Sequence, residues 1–69
     1  MDDLKTLILA AQWAGYHWAE SHPNAKIQEV EQAAGLAYPG FDKSVLYFSF
    51  HQGWVLHESG SRPQELPGD

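Results

Sequence analysis

Residues 3–21 predict one long helix that carries apolar side chains on two opposite faces. Asp3 is a suitable N-cap, and Pro23 ends the helix because proline disfavours helical geometry at the preceding residue, His22. One face forms a stripe wide enough for a core, made of Leu4, Leu7, Ile8, Ala11, Gly15 and Trp18. The chain must therefore cover two faces of this helix or leave one of them in water.

The opposite face is the less usual one, because a solvent face is normally charged. It holds Leu9, Trp13 and Tyr16, with Glu20 completing the row. Two interpretations are open. Either the helix is central and both faces are buried, or this face binds a partner, since Trp and Tyr are favoured anchors of interfaces.

A second helix is predicted at about residues 24–34, with Gly35 as a left-handed stop and Leu36 folding back onto Val30. The small side chains of Ala11, Gly15 and Ala19 allow a neighbouring backbone to approach closely, and this second helix is the expected neighbour. The sequence Tyr-Pro-Gly at 38–40 then indicates a turn within an irregular connection.

Residues 44–50 and 54–58 are rich in β-branched and aromatic side chains, which predicts a β-hairpin. A three-residue loop at 51–53, with Gly53 in the left-handed conformation, gives one wholly apolar face, made of Leu46, Phe48, Phe50, Trp54 and Leu56. The expected fold is thus a two-layer α+β domain of residues 1–58, in which the hairpin packs on the two helices. Residues 59–69 are predicted to be a polar tail or a loop along the edge of the domain, with Leu66 as the only anchor.

Composition excludes several classes of function. Nine acidic and four basic residues give a net charge of −5, which argues against direct binding to nucleic acid. The absence of cysteine excludes disulfides and thiolate metal sites. The chain has no signal-like start and no apolar stretch long enough for a bilayer, so we expect a cytoplasmic protein without a membrane partner.

The four histidines offer little chemistry. His17 and Glu20 are neighbours on the first helix, but the i, i+4 histidine pair of a helical zinc site is missing. We interpret His17 as a polar neighbour of Trp13, and His22 as either a cation or a cap at the helix end. No spacing supports a Ser-His-Asp site or a phosphate-binding loop. We expect no enzyme activity, no cofactor and no metal, and keep a histidine metal site only as a remote alternative.

The sequence therefore favours a small non-enzymatic module that binds a protein partner and acts by steric occlusion. The residues expected to bind are Leu9, Trp13, Tyr16 and Glu20, with Tyr47 and Val55 from the outer face of the hairpin. A structural homodimer sealed by the same face is the alternative. In size, acidity and lack of cysteine the chain is similar in kind to small phage inhibitors of host defence or DNA-handling complexes, which implies the same occluding role.

Overall fold

The computed structural model describes residues 3–39 and 45–66, and these residues form three helices. Helix α1 spans Asp3–Ser21, α2 spans Ile27–Ala37 and α3 spans Val45–Glu58. The described chain has no strand, so the predicted α+β class is wrong and this part of the molecule is all-helical.

Helix α1 confirms the predicted long first helix. It ends before Pro23, and the cap predicted for His22 is present: the imidazole Nδ1 donates to the carbonyl oxygen of Trp18 at 2.8 Å. The same ring stacks on the indole of Trp18 with centroids 4.3 Å apart. The capping contact expected from the side chain of Asp3 lies outside the described atoms.

Helix α2 lies about three residues further along the chain than predicted. It starts at Ile27 because the Glu29 carboxylate accepts a hydrogen bond of 2.8 Å from the backbone N–H of Lys26, which satisfies one free donor at the helix start. Gly35 does not stop the helix, which continues to Ala37. Leu36 is 76% exposed, so its predicted contact with Val30 is also wrong. The expected turn at 38–40 lies partly outside the described residues.

Helix α3 replaces the predicted β-hairpin. Residues 45–50, the loop at 51–53 and residues 54–58 are one continuous helix, and Ser44 lies outside the described chain. The left-handed glycine comes at Gly60, with φ of 81°, where Ser61 N–H donates to the carbonyl oxygen of Leu56 and closes the helix end. Gly53 therefore serves a different purpose from the turn that its position suggested.

Gly15 and Gly53 lie where α1 and α3 cross. A Cβ atom at Gly15 would overlap the carbonyl oxygen of Phe50, and one at Gly53 would overlap the carbonyl oxygen of Gln12. The two backbones are thus in direct contact. The close neighbour of the small-residue row on α1 is α3, and the prediction that it would be the second helix is wrong.

The buried core cluster is small and lies between α2 and α3. Val30, Ala34 and Phe50 form its buried centre, with Trp18, Ala33, Tyr38, Tyr47 and Trp54 packed around them. Helix α3 packs extensively on α1 and more lightly on α2, whereas α1 and α2 barely touch. No helix in the described ranges combines the length and apolar character needed to cross a membrane.

Candidate docking surface

Four rings from two helices form one partly exposed cluster, which we call the aromatic patch: Trp13, Tyr16, His17 and His57. The first three share a face of α1 because positions three and four apart lie side by side on a helix. His57 comes from the last turn of α3. The glycine crossing places it there, since Gly15 precedes Tyr16 and Gly53 lies one turn before His57.

The rings of the aromatic patch contact one another edge to face or in stacks. Trp13 and Tyr16 have centroids 5.4 Å apart at 74°, and Tyr16 and His57 are 5.1 Å apart at 71°. His17 stacks on Trp13 at 5.4 Å and 29°, which confirms that it lies beside this indole. Such geometry adds about 0.5–1.5 kcal/mol for each aromatic pair. The patch is therefore a fixed surface whose rings orient one another.

Carboxylates border the aromatic patch. Glu20 Oε1 lies 3.0 Å from His17 Nδ1, and Glu58 Oε2 lies 3.4 Å from His57 Nδ1. The His17 and Glu20 side chains are 64% and 50% exposed, so this contact adds little to the free energy of folding. Both glutamates are accessible to a ligand from solvent.

The C-terminal segment lies against the same side of α1. The indole Nε1 of Trp13 donates to the carbonyl oxygen of Gln64 at 2.9 Å, and Pro63 is buried. Leu66, the predicted anchor, is 45% exposed, and the hydrogen bond that joins the segment to α1 is made by Gln64. The segment covers part of the second apolar face of α1 and leaves Trp13 and Tyr16 partly accessible.

The six residues expected to bind a partner do not form one surface. Leu9 is only 8% exposed, while Trp13, Tyr16 and Glu20 remain together on α1. Tyr47 packs against the core cluster. Val55 precedes His57 by two positions, so it faces nearly the opposite side of α3 from the aromatic patch. Sequence reasoning missed His57, because it took this residue for a solvated imidazole on the outward face of the predicted hairpin.

His22, Ser49 and Ser59 hydrogen-bond to backbone carbonyl groups of α1 or α3. His22 lines an open groove of about 280 Å³ with Pro23, Asn24, Ala25 and Glu29, and its Nδ1 is bonded to α1. Ser49 Oγ donates to the carbonyl oxygen of Val45, and Ser59 Oγ to that of Leu56. Within 3–39 and 45–66, no group of three metal-ligating side chains comes together.

Comparisons with protein families, curated proteins and solved structures found no match to this chain.

Proposed function

We propose that this chain is a non-enzymatic protein-binding module whose aromatic patch docks on a basic surface of a larger protein and occludes it. The observation that carries the proposal is the patch itself: Trp13 and Tyr16 remain partly exposed in a fixed arrangement. Glu20 and Glu58 lie at its edge. Aromatic faces beside carboxylates are suited to arginine and lysine side chains.

The net negative charge of the chain supports a partner with a basic surface. The net charge of −5 on a chain of 69 residues speeds the approach of a positively charged surface. At contact, an arginine over an indole or phenol contributes about 0.5–2 kcal/mol, depending on how far it is desolvated. Trp and Tyr are also enriched among the residues that dominate binding energy.

Size sets the role of the patch within an interface. A stable complex buries about 800 Å² on each partner, roughly one sixth of the 4860 Å² of this chain. Four rings supply only part of that area, so the patch acts as the energetic centre of a larger contact. The molecule measures 36 × 29 Å in its two longer directions. The surface around the aromatic patch therefore supplies the rest of the buried area and covers a region of similar size on the partner.

A peptide titration tests the proposal. The probe is a synthetic peptide of alternating arginine and leucine, compared with one of alternating glutamate and leucine, and followed by NMR. We expect the basic peptide to shift the Trp13 indole and Tyr16 ring signals and the acidic peptide to leave them unchanged. Tyr16→Ala should weaken binding about tenfold, as expected for loss of an anchor worth about 1.4 kcal/mol.

Charge variants separate the patch from general electrostatics. Glu20→Gln with Glu58→Gln removes the edge carboxylates, whereas Glu29→Gln with Glu31→Gln removes the same charge from α2. We expect the first pair to weaken binding more than the second. Equal weakening by the two pairs, or tight binding of the acidic peptide, would reject the proposed surface.

A further inference from the structure

The side of α3 that faces away from α1 carries a helix-pairing pattern, which we call the α3 seam. Its residues are Val45, Phe48, Gln52 and Val55, spaced three, four and three apart. This alternation keeps side chains in one line along a helix and is the spacing by which two helices interlock. Gly53, whose backbone meets α1, lies about 120° around the helix from the middle of this line, with buried Ser49 between them, so the α3 seam is not part of the backbone contact with α1.

Three of the four residues of the α3 seam are apolar, and three are exposed. Val45 is 53% and Phe48 56% exposed, Gln52 is exposed and Val55 is partly buried. No Asp, Glu, Lys or Arg occurs between Val45 and His57, although the solvent face of a helix is normally charged. The net negative charge of the chain is therefore carried elsewhere and does not oppose contact along this line.

We propose that the α3 seam pairs with the α3 seam of a second copy, with the two helices parallel and related by a twofold axis. A second copy has the same seam residues at the same spacing. A twofold axis brings these identical surfaces together, so the contact is self-complementary. Parallel pairing places each Gln52 beside its counterpart, where the two amides hydrogen-bond to each other. Antiparallel pairing would set Gln52 against Phe48 and leave the amide without a partner. One polar residue in such a line fixes register at some cost in strength.

The area available predicts a reversible dimer. A helix of 14 residues is about 21 Å long, and contacts of that length fall below the roughly 1,200 Å² in total that separates weak from standard interfaces. The chain exposes 4860 Å², more than the about 4,300 Å² typical of a 7.7 kDa monomer, so it leaves surface for such a contact. We expect dissociation in the micromolar range or weaker.

Sedimentation equilibrium from about 5 µM to about 1 mM covers that range of affinities. The wild-type mass should rise from 7.7 kDa toward twice that value. Phe48→Glu should remain monomeric throughout, a loss of at least tenfold in affinity. Leu36→Glu is the matched control, since Leu36 is still more exposed, at 76%, but lies on α2. A monomeric wild type, or equal effects of the two variants, overturns the proposal.

Cysteine cross-linking tests the pairing without disturbing the apolar residues. The chain has no cysteine, so Gln52→Cys introduces one reactive group for each protomer. Parallel pairing predicts rapid formation of a disulfide-linked dimer under mild oxidation. Gln32→Cys, at an exposed position of α2, should cross-link at least tenfold more slowly. Equal rates overturn the proposal. The α3 seam is separate from the aromatic patch, so Tyr16→Ala should leave the dimer intact while it weakens peptide binding.

Discussion

Gly15 and Gly53 allow the backbones of α1 and α3 to touch. Any side chain at either position would meet a carbonyl group of the other helix, and a carbonyl cannot move aside as a flexible side chain can. Ala11 and Ala19, one turn to either side of Gly15, are fully buried and continue the contact. Because glycine has only a hydrogen atom in place of a side chain, these two glycines, rather than any polar interaction, set the distance between the helices.

We predict that Gly15→Ala and Gly53→Ala each lower the free energy of unfolding by about 2–3 kcal/mol or more, because the backbones must separate. Gly35→Ala is the control. It lies inside α2 with no atom near the added methyl, so it should raise stability by about 0.5–1 kcal/mol. Urea denaturation measures all three. Similar stabilities for the three variants would contradict the crossing.

The fold alters the titration of Tyr38. Burial against the core raises the pKa of its phenol above the usual value near 10. Above pH 10 the unfolded chain loses this proton while the native state retains it, so the free energy of unfolding falls as pH rises. We expect Tyr38→Phe to lose less stability between pH 9 and pH 11, by urea denaturation at each pH. If the free energy of unfolding fell equally with pH in the wild type and in Tyr38→Phe, the raised pKa of Tyr38 would be contradicted.

At the scale of elements, the C-terminal segment supports α1. Trp13 donates its indole N–H to Gln64, and Pro63 is buried, so the segment is part of the folded unit. The indole of Trp54 has a different environment, because its Nε1 is buried and has no hydrogen-bond acceptor among the residues that the structure describes. The two indoles are therefore distinguishable by their N–H environments.

We predict that removing residues 62–69 makes the Trp13 indole N–H exchange faster with solvent and lowers stability by about 1–3 kcal/mol, since a hydrogen bond and the burial of Pro63 are lost. Proton exchange of the indole signals by NMR gives the readout, with the Trp54 signal as internal reference. Removing only residues 67–69 should have no such effect. If the Trp13 indole N–H exchanged with solvent at the same rate in the shorter chain, its contact with Gln64 would contribute no protection.

At the scale of the molecule, the balance between core and surface is unusual. Val30 is the largest fully buried side chain among the described residues, whereas several larger apolar side chains are exposed. A chain of 69 residues is expected to have only about 3–10 kcal/mol of stability. In so small a core, each buried methyl group supplies a large share of the free energy of unfolding. The exposed apolar surface remains available for contacts with other molecules.

We expect Val30→Ala to cost about 2 kcal/mol, a large share of the total, because it leaves a cavity at the centre of the core. Leu36→Ala is the control, and it should change stability by less than about 0.5 kcal/mol, since Leu36 is 76% exposed. Thermal denaturation at matched concentration compares them. A cost for Leu36→Ala as large as that for Val30→Ala would mean that α2 packs differently.

The sequence alone determined the first helix, its end before Pro23 and the existence of a second helix, because periodicity and proline act locally. It also identified the small-residue row on α1 as a site of close backbone approach. Only the tertiary structure decided that residues 45–58 are helical. Their aromatic-rich pattern with a central glycine suits a hairpin or a helix equally in local terms. The helix is selected because Gly53 then lies against the backbone of Gln12 and Gly15 against that of Phe50, and these contacts join residues about 40 positions apart.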